Sequence, residues 1–154
     1  MARFFRRGVS KVRFLPAVAG ASPTRAEITA GEDLTPWIAD IQGFNLTNSP
    51  IAVPDLENTF TSQIDGEDTV SDSGFTLNDD TEVDDVRTAL PKGTEGYILL
   101  LPYGDVPTKR AEVWPVKVTG YNDIWSVGND PAQAALSFAV TSVPNQDVTI
   151  PAAA

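Results

Sequence analysis

Proline and glycine decide first what this chain can become. Twelve Pro and eleven Gly are spread over its 154 residues and cut it into short pieces. Proline stops helices and removes a ladder donor, and glycine favours turns, so this punctuation belongs to a β-rich domain of short strands. The length suits a single domain, and a monomer of this size buries roughly 68–70% of its unfolded surface, enough for a core. The 42% hydrophobic and 21% charged fractions are those of a globular chain rather than a disordered one.

Residues 11–18 (KVRFLPAV) begin with polar–apolar alternation and predict a strand reaching Pro16, and 21–24 a turn. Residues 25–35 predict a short strand turned by Gly31. Further strands are expected within 37–46, 51–53 and 57–64, with 65–72 (DGEDTVSD) as a polar loop and 73–77 as another strand. The period then changes. Val83, Val86 and Leu90 recur at helical spacing, Asp79, Asp80 and Thr81 offer N-caps, and Lys92-Gly93 follows, so 80–90 predicts a helix. The continuous apolar run 97–103 (YILLLPY) predicts a buried central strand. Residues 111–119 put Val113, Pro115 and Lys117 on one side and Trp114, Val116 and Val118 on the other. Pro115 favours an edge or a bulge there. Residues 122–131 predict a loop, 136–143 an alternating strand and 145–150 a last extended piece. The expected fold is mainly β: a two-sheet β-sandwich or barrel with one flanking α-helix.

Charge is unevenly placed. The formal total is −10, yet residues 1–25 hold six bases (Arg3, Arg6, Arg7, Lys11, Arg13, Arg25) and no acid. The remainder carries five bases against 21 acids, and residues 55–85 hold 11 of those acids and no base. The expected organisation is an extended N-terminal arm over 1–15 and a single β domain over 16–154. The acidic total argues against a general duplex-DNA binder, which needs clustered Lys and Arg. The arm does not read as a secretory signal, because the apolar stretch 14–19 is short and Pro16 interrupts it. No segment approaches the roughly 20 apolar residues of a membrane-spanning helix.

The residue inventory narrows the chemistry. The chain has neither His nor Cys. That removes Ser-His-Asp and Cys-nucleophile catalysis, the usual zinc sites, haem and iron–sulfur ligation, and disulfides. Paired carboxylates remain, but nothing marks one pair among 21 acids as catalytic. Asp65-Gly66-Glu67-Asp68 lacks the ordered spacing of a calcium loop and reads as a solvated acidic turn. Asn45-Leu46-Thr47 fits a glycosylation sequon, which a three-residue pattern does by chance. Phe4-Phe5-Arg6-Arg7 resembles the aromatic–basic interleaving of single-strand nucleic-acid binders. An arm docking on another subunit is the better reading, since this same chain supplies acidic surface to meet it. Trp37, Trp114 and Trp125 read as core or interface anchors. No cofactor and no enzymatic role are expected.

An ordered set of short motifs carries a family likeness. Residues 23–35 (PTRAEITAGEDLT) and 38–44 (IADIQGF) come first, then 53–56 (VPDL), 64–66 (IDG) and 73–80 (SGFTLNDD). After the expected helix come 93–97 (GTEGY), 102–105 (PYGD), 113–118 (VWPVKV) and 136–141 (LSFAVT). In this order they resemble major tail tube proteins of long-tailed bacteriophages, particularly those of actinobacterial hosts. Residues 122–131 match nothing in that pattern. The resemblance implies a virion structural subunit that closes into hexameric rings with a continuous lumen β-barrel. Rings stack into a tube, and a tape-measure protein fills it before DNA passes without specific binding. Tail terminator and distal tail proteins are implied partners, and synthesis is in the host bacterial cytoplasm. Within that frame, Arg3, Phe4, Phe5, Arg6 and Arg7 are expected to bridge to a neighbouring subunit. Asp55, Glu57, Asp65, Glu67 and Asp68 are expected to face the lumen, and the helical acids Asp80, Glu82 and Asp84 to sit at subunit contacts. The rival readings are another virion β-protein, such as a tail terminator or decoration protein, and a secreted surface- or carbohydrate-binding β-sandwich.

Overall fold

The computed structural model describes residues 2–20, 22–80, 88 and 90–152. The chain is mainly β. Its elements are β1 (Lys11–Leu15), α1 (Arg25–Ala30), β2 (Glu32–Asp33), β3 (Ile38–Gln42), β4 (Leu46–Val53), β5 (Ser62–Val70), β6 (Ser73–Asn78), β7 (Glu95–Leu101), β8 (Arg110–Ile124), β9 (Gln133–Val140) and β10 (Asn145–Thr149). One antiparallel sheet has eight strands, ordered β2-β1-β7-β8-β9-β6-β3, with β10 also paired to β8. The second sheet is the β4–β5 hairpin.

The apolar alternation builds two cores on opposite faces of the large sheet. Val12, Phe14, Ile98, Trp114, Val116, Val118, Leu136, Phe138, Phe75 and Leu77 share one cluster. Leu15, Leu99, Leu101, Ala111 and Val113 share the other, beneath Ile28 of α1 and Val148 of β10. Strand β7 contributes to both clusters and runs between β1 and β8, as the run 97–103 predicted. The sheet curls: β1 and β3 are not paired, yet Val12 and Ile41 line one cavity between them. Trp114 is fully buried and its indole N–H has no partner among the described residues.

Pro115 sits where β8 changes partner on one side. Strand β10 pairs there up to Val113, and β9 takes over at Val116. The Pro115 carbonyl accepts from the Thr141 amide at 3.0 Å. In an extended strand N and C=O of one residue point the same way, so the missing N–H falls at the gap between two partners. The expected bulge or edge is thus a changeover point inside a long strand.

Two local expectations are corrected. Residues 25–30 form helix α1 rather than a strand, because Thr24 and Glu27 make a capping box. The Thr24 hydroxyl accepts from the Glu27 amide at 3.3 Å, and the Glu27 carboxylate accepts from the Thr24 amide at 2.9 Å. A second contact, from the Ala19 amide at 2.9 Å, joins it. These backbone donors, Thr24 first, hold the Glu27 carboxyl below its ordinary value. The other correction is 65–72: most of it is β5 strand, not loop. The helix expected over 80–90 lies outside the described residues except for Asp80, Thr88 and Leu90, so Glu82 and Asp84 are not placed. Leu90 is buried in the first core.

Arg25, at the start of α1, fastens three parts of the chain. Its Nη1 donates to both Asp105 carboxylate oxygens at 3.0 and 2.8 Å, and its Nη2 to the Pro151 carbonyl at 2.8 Å. Its Nε also reaches the Ala152 carbonyl at 3.4 Å.

Candidate assembly surfaces

The hairpin is aimed by a two-residue bend. Gly43 (φ 80°) and Phe44 (φ 58°) both adopt the left-handed region between β3 and β4. That region is unfavourable for a bulky residue and needs compensation. The compensation is visible. The Phe44 amide donates to the Ser73 hydroxyl at 3.0 Å, and the Phe44 ring enters the core. There it stacks on Phe75 at 5.5 Å and meets Trp114 edge-on at 5.5 Å. The bend anchors the hairpin root while β4 and β5 leave the core. All of β4 is exposed, and in β5 only Gly66 and Val70 are partly covered.

Strand alternation gives the hairpin two unlike faces. In β5, Val70 and Asp68 share one face and Thr69 and Glu67 the other, until two residues, Asp65 and Gly66, stand opposite Pro50 of β4. The register places Leu46 opposite Val70, Asn48 opposite Asp68, and Ile51 opposite Ile64. The extra residue is in β5, so β4 alternates throughout: Leu46, Asn48 and Ala52 share a face with Asp68 and Val70, while Ser49, Ile51 and Val53 share the other with Ile64 and Glu67. That second face exposes Ile51, Val53 and Ile64, and the tip adds Leu56 and Phe60. A contiguous apolar strip rimmed by polar side chains marks an interaction surface. The opposite face carries Leu46, Asn48, Ala52, Gln63, Asp68 and Val70.

The five expected lumen acids therefore separate. Glu67 shares its face with Ile51 and Ile64, and Asp65 is one of the two bulge residues. Asp68 lies on the opposite face, where its carboxylate accepts from the Asn48 side-chain amide at 2.6 Å. Asp55 and Glu57 are at the tip, and Asp55 accepts from the Glu57 and Asn58 amides at 2.9 and 3.1 Å, fixing the turn. Asn48 also brackets Gly66, donating to its carbonyl at 3.1 Å and accepting from its amide at 3.2 Å. A Cβ at Gly66 would collide with the Ser49 carbonyl, so glycine is required at the bulge.

The arm expected over 1–15 overlaps the sheet, because Lys11–Leu15 is β1 and pairs with β7. Residues 2–10 precede it and are exposed save for Ser10. A turn ties them back: the Val9 and Ser10 amides donate to the Arg6 carbonyl at 3.1 and 2.9 Å, and the Ser10 hydroxyl donates to the Pro102 carbonyl at 2.6 Å. Phe4 leans on Tyr103 at 5.7 Å and carries the Arg6 guanidinium at 5.9 Å. Phe5 is 88% exposed, and Arg3 and Arg7 are exposed without an ion pair among the described residues. The five arm residues are together in sequence and in space, and none is buried.

Sequence reasoning placed strands at 51–53 and 57–64 but missed the hairpin to which parts of both belong, because it lacks the usual signal. A strand pair with no covered face shows no clean alternation, and the Asp65–Gly66 bulge shifts what alternation exists in β5 by one residue. Among the described residues no three acids gather as a metal site, and no helix is long and apolar enough to cross a membrane.

The family model described as phage tail tube protein matches residues 1–153. Among solved structures eight chains match. One is a chain of the cryo-EM structure of the anti-feeding prophage (AFP) baseplate, 6-fold symmetrised. It superposes with a TM-score of 0.59 at 8% identity, covering 92% of this chain and 95% of that one, which is a likeness of fold. No curated protein matches.

Proposed function

We propose a working arrangement for a chain that belongs to the phage tail tube protein family. The chain is a structural subunit of a tail tube and a component of the virion tail. In our reading six copies close into a ring, and rings stack into the conduit for genome delivery. The six-fold symmetry named for the structurally similar baseplate supports that ring order.

The observation that carries the reading is the hairpin with two unlike faces outside the subunit's own core. Its apolar strip is covered by the neighbouring copy in the ring. Fully burying an aliphatic side chain is worth about 1.5–3 kcal/mol, and these are partly covered already, so each adds about 1 kcal/mol. Its opposite face, with Asp68, turns to the lumen together with Asp65 at the bulge and Asp55 and Glu57 of the tip. Fixed negative charge there repels phosphate, so DNA passes without adhering. Asp68 also accepts from Asn48 and so helps hold hairpin geometry, while Glu67 lies at the edge of the apolar strip. Residues 2–10 bridge to an adjacent subunit, with Arg3, Arg6 and Arg7 meeting its acids and Phe4 and Phe5 seating the contact. Such charged pairs set register and partner choice more than affinity. The subunit needs no cofactor and turns nothing over. Tape-measure, terminator and distal tail proteins complete the tail, and the protein is made in the host cytoplasm.

Negative-stain microscopy of the expressed full chain tests this. Rings or tubes of uniform diameter are expected. A chain that stays monomeric at high concentration overturns the reading.

A further inference from the structure

Resting on the reading that copies stack end to end, we propose that Trp125 of one copy seats in an apolar cavity at the opposite end of the next copy, forming an axial contact between rings. Strand β8 acts as the ruler, with Glu112 near its start and Ile124 at its end. Just beyond Ile124, Trp125 is 88% exposed and Val127 fully so. Their loop is carried by a paired hairpin, since β8 and β9 stay in register to Ile124 opposite Gln133. The Asp79 amide also holds the Ala132 carbonyl at 2.9 Å. A large aromatic presented on such a support is a typical anchor for a partner's pocket.

The cavity lies toward the other end of β8. It measures 270 Å³, and Ile41, Phe44, Leu100 and Pro102 line it with Glu112, while Arg6 and Lys11 stand beside them. A cavity of about 150 Å³ already accommodates benzene, so this one has room for the larger indole. Charge agrees as well as size. The loop carries Asp123 and Asp130 and no base. At the cavity, Arg6 and Lys11 face one acid, Glu112, which already holds Gln146 at 3.4 Å and Arg110 at 3.8 Å. The hairpin tip, with Leu56 and Phe60, is another exposed apolar group, but it springs from the Ser73 end of β6, beside the cavity wall at Phe44. The Trp125 loop sits at the Asn78 end, through the Asn78–Gln133 pair. A contact between unlike surfaces at opposite ends of one molecule is heterologous and does not close on itself, so it propagates a filament.

The test uses the full chain with Trp125→Ser, and Trp125→Phe as the conservative partner. Since Trp125 is exposed, both keep the wild-type melting curve. Trp125→Ser is expected to leave rings intact and raise the concentration needed for tubes by about tenfold or more. Trp125→Phe is expected to recover most of the loss. Because the chain lacks cysteine, Val127→Cys with Lys11→Cys should give a ladder of linked copies on oxidation, and neither single variant should. Tubes from Trp125→Ser at the wild-type concentration, or no ladder from tubes of the double variant, overturn the contact while the tube reading stands. A wild-type chain forming neither rings nor tubes overturns both.

Discussion

Replacing Arg25 by Ala removes the fastening between α1, the turn after β7 and the C-terminal segment. Both partners of the ion pair are largely covered, with 17% and 22% of the Arg25 and Asp105 side chains exposed. Solvent therefore screens this pair less than a surface salt bridge, which contributes about 0–1 kcal/mol. The fork places two bonds on one carboxylate and a third, at 2.8 Å, on the Pro151 carbonyl. Hydrogen bonds to charged groups contribute about 1.5–3 kcal/mol net, and the shared fork makes them non-additive, so a loss of about 2–4 kcal/mol is expected. Against a total stability of about 5–15 kcal/mol this is a large share. At this chain length it lowers the melting temperature by roughly 2–4 °C per kcal/mol. Thermal unfolding followed by circular dichroism measures it. Arg25→Lys, which keeps charge but loses the fork, should recover less than half. Asp105→Asn separates the ion pair from the carbonyl bonds in a double-mutant cycle. An Arg25→Ala protein within about 0.5 kcal/mol of wild type would refute the reasoning, since that is the range of an ordinary surface change.

Gly43→Ala must place a Cβ against the Asp72 carbonyl and 2.7 Å from Ser73 Cα, at a φ of 80°. Left-handed strain and overpacking together predict a loss of about 2–4 kcal/mol, read by chemical denaturation. Glu27 has a folded pKa below its unfolded value, so its stabilisation is present above about pH 4.3 and is lost as pH falls through the folded value. Glu27→Gln should flatten that acid limb of a stability–pH curve, and an unchanged limb counts against the capping argument. Deleting residues 1–9, which stops short of β1, should leave the melting curve within experimental error and abolish tubes in the microscope. Ile64→Asp, placed in the apolar strip, should likewise leave folding intact and prevent rings from forming, as measured by sedimentation velocity.

The parts of the fold that were legible in the sequence are those where burial writes a pattern. Strand β8 alternates because its two sides enter two cores, and β7 reads as a continuous apolar run because both its faces are covered. Residues 25–30 misled because β-formers such as Ile28 and Thr29 outweigh a capping box in a window that short. Residues 65–70 misled for a different reason: an acidic strand with no covered face has the composition of a loop. The candidate surfaces were legible as charge, not as shape. The arm and acid cluster stand out in the sequence, but only the register shows that Glu67 and Asp68 part company.

The exposed strip of the hairpin also governs the subunit before it assembles. A free copy carries Ile51, Val53 and Ile64 into solvent on a strand pair. It also carries a net charge of −10, and like charge keeps such copies apart. Early encounters are then held back by long-range repulsion, and growth is favoured once several contacts form together. Added salt shortens that repulsion, to about 10 Å at 0.1 M, and leaves the apolar attraction in place. Ionic strength thus sets how readily free subunits become committed ones.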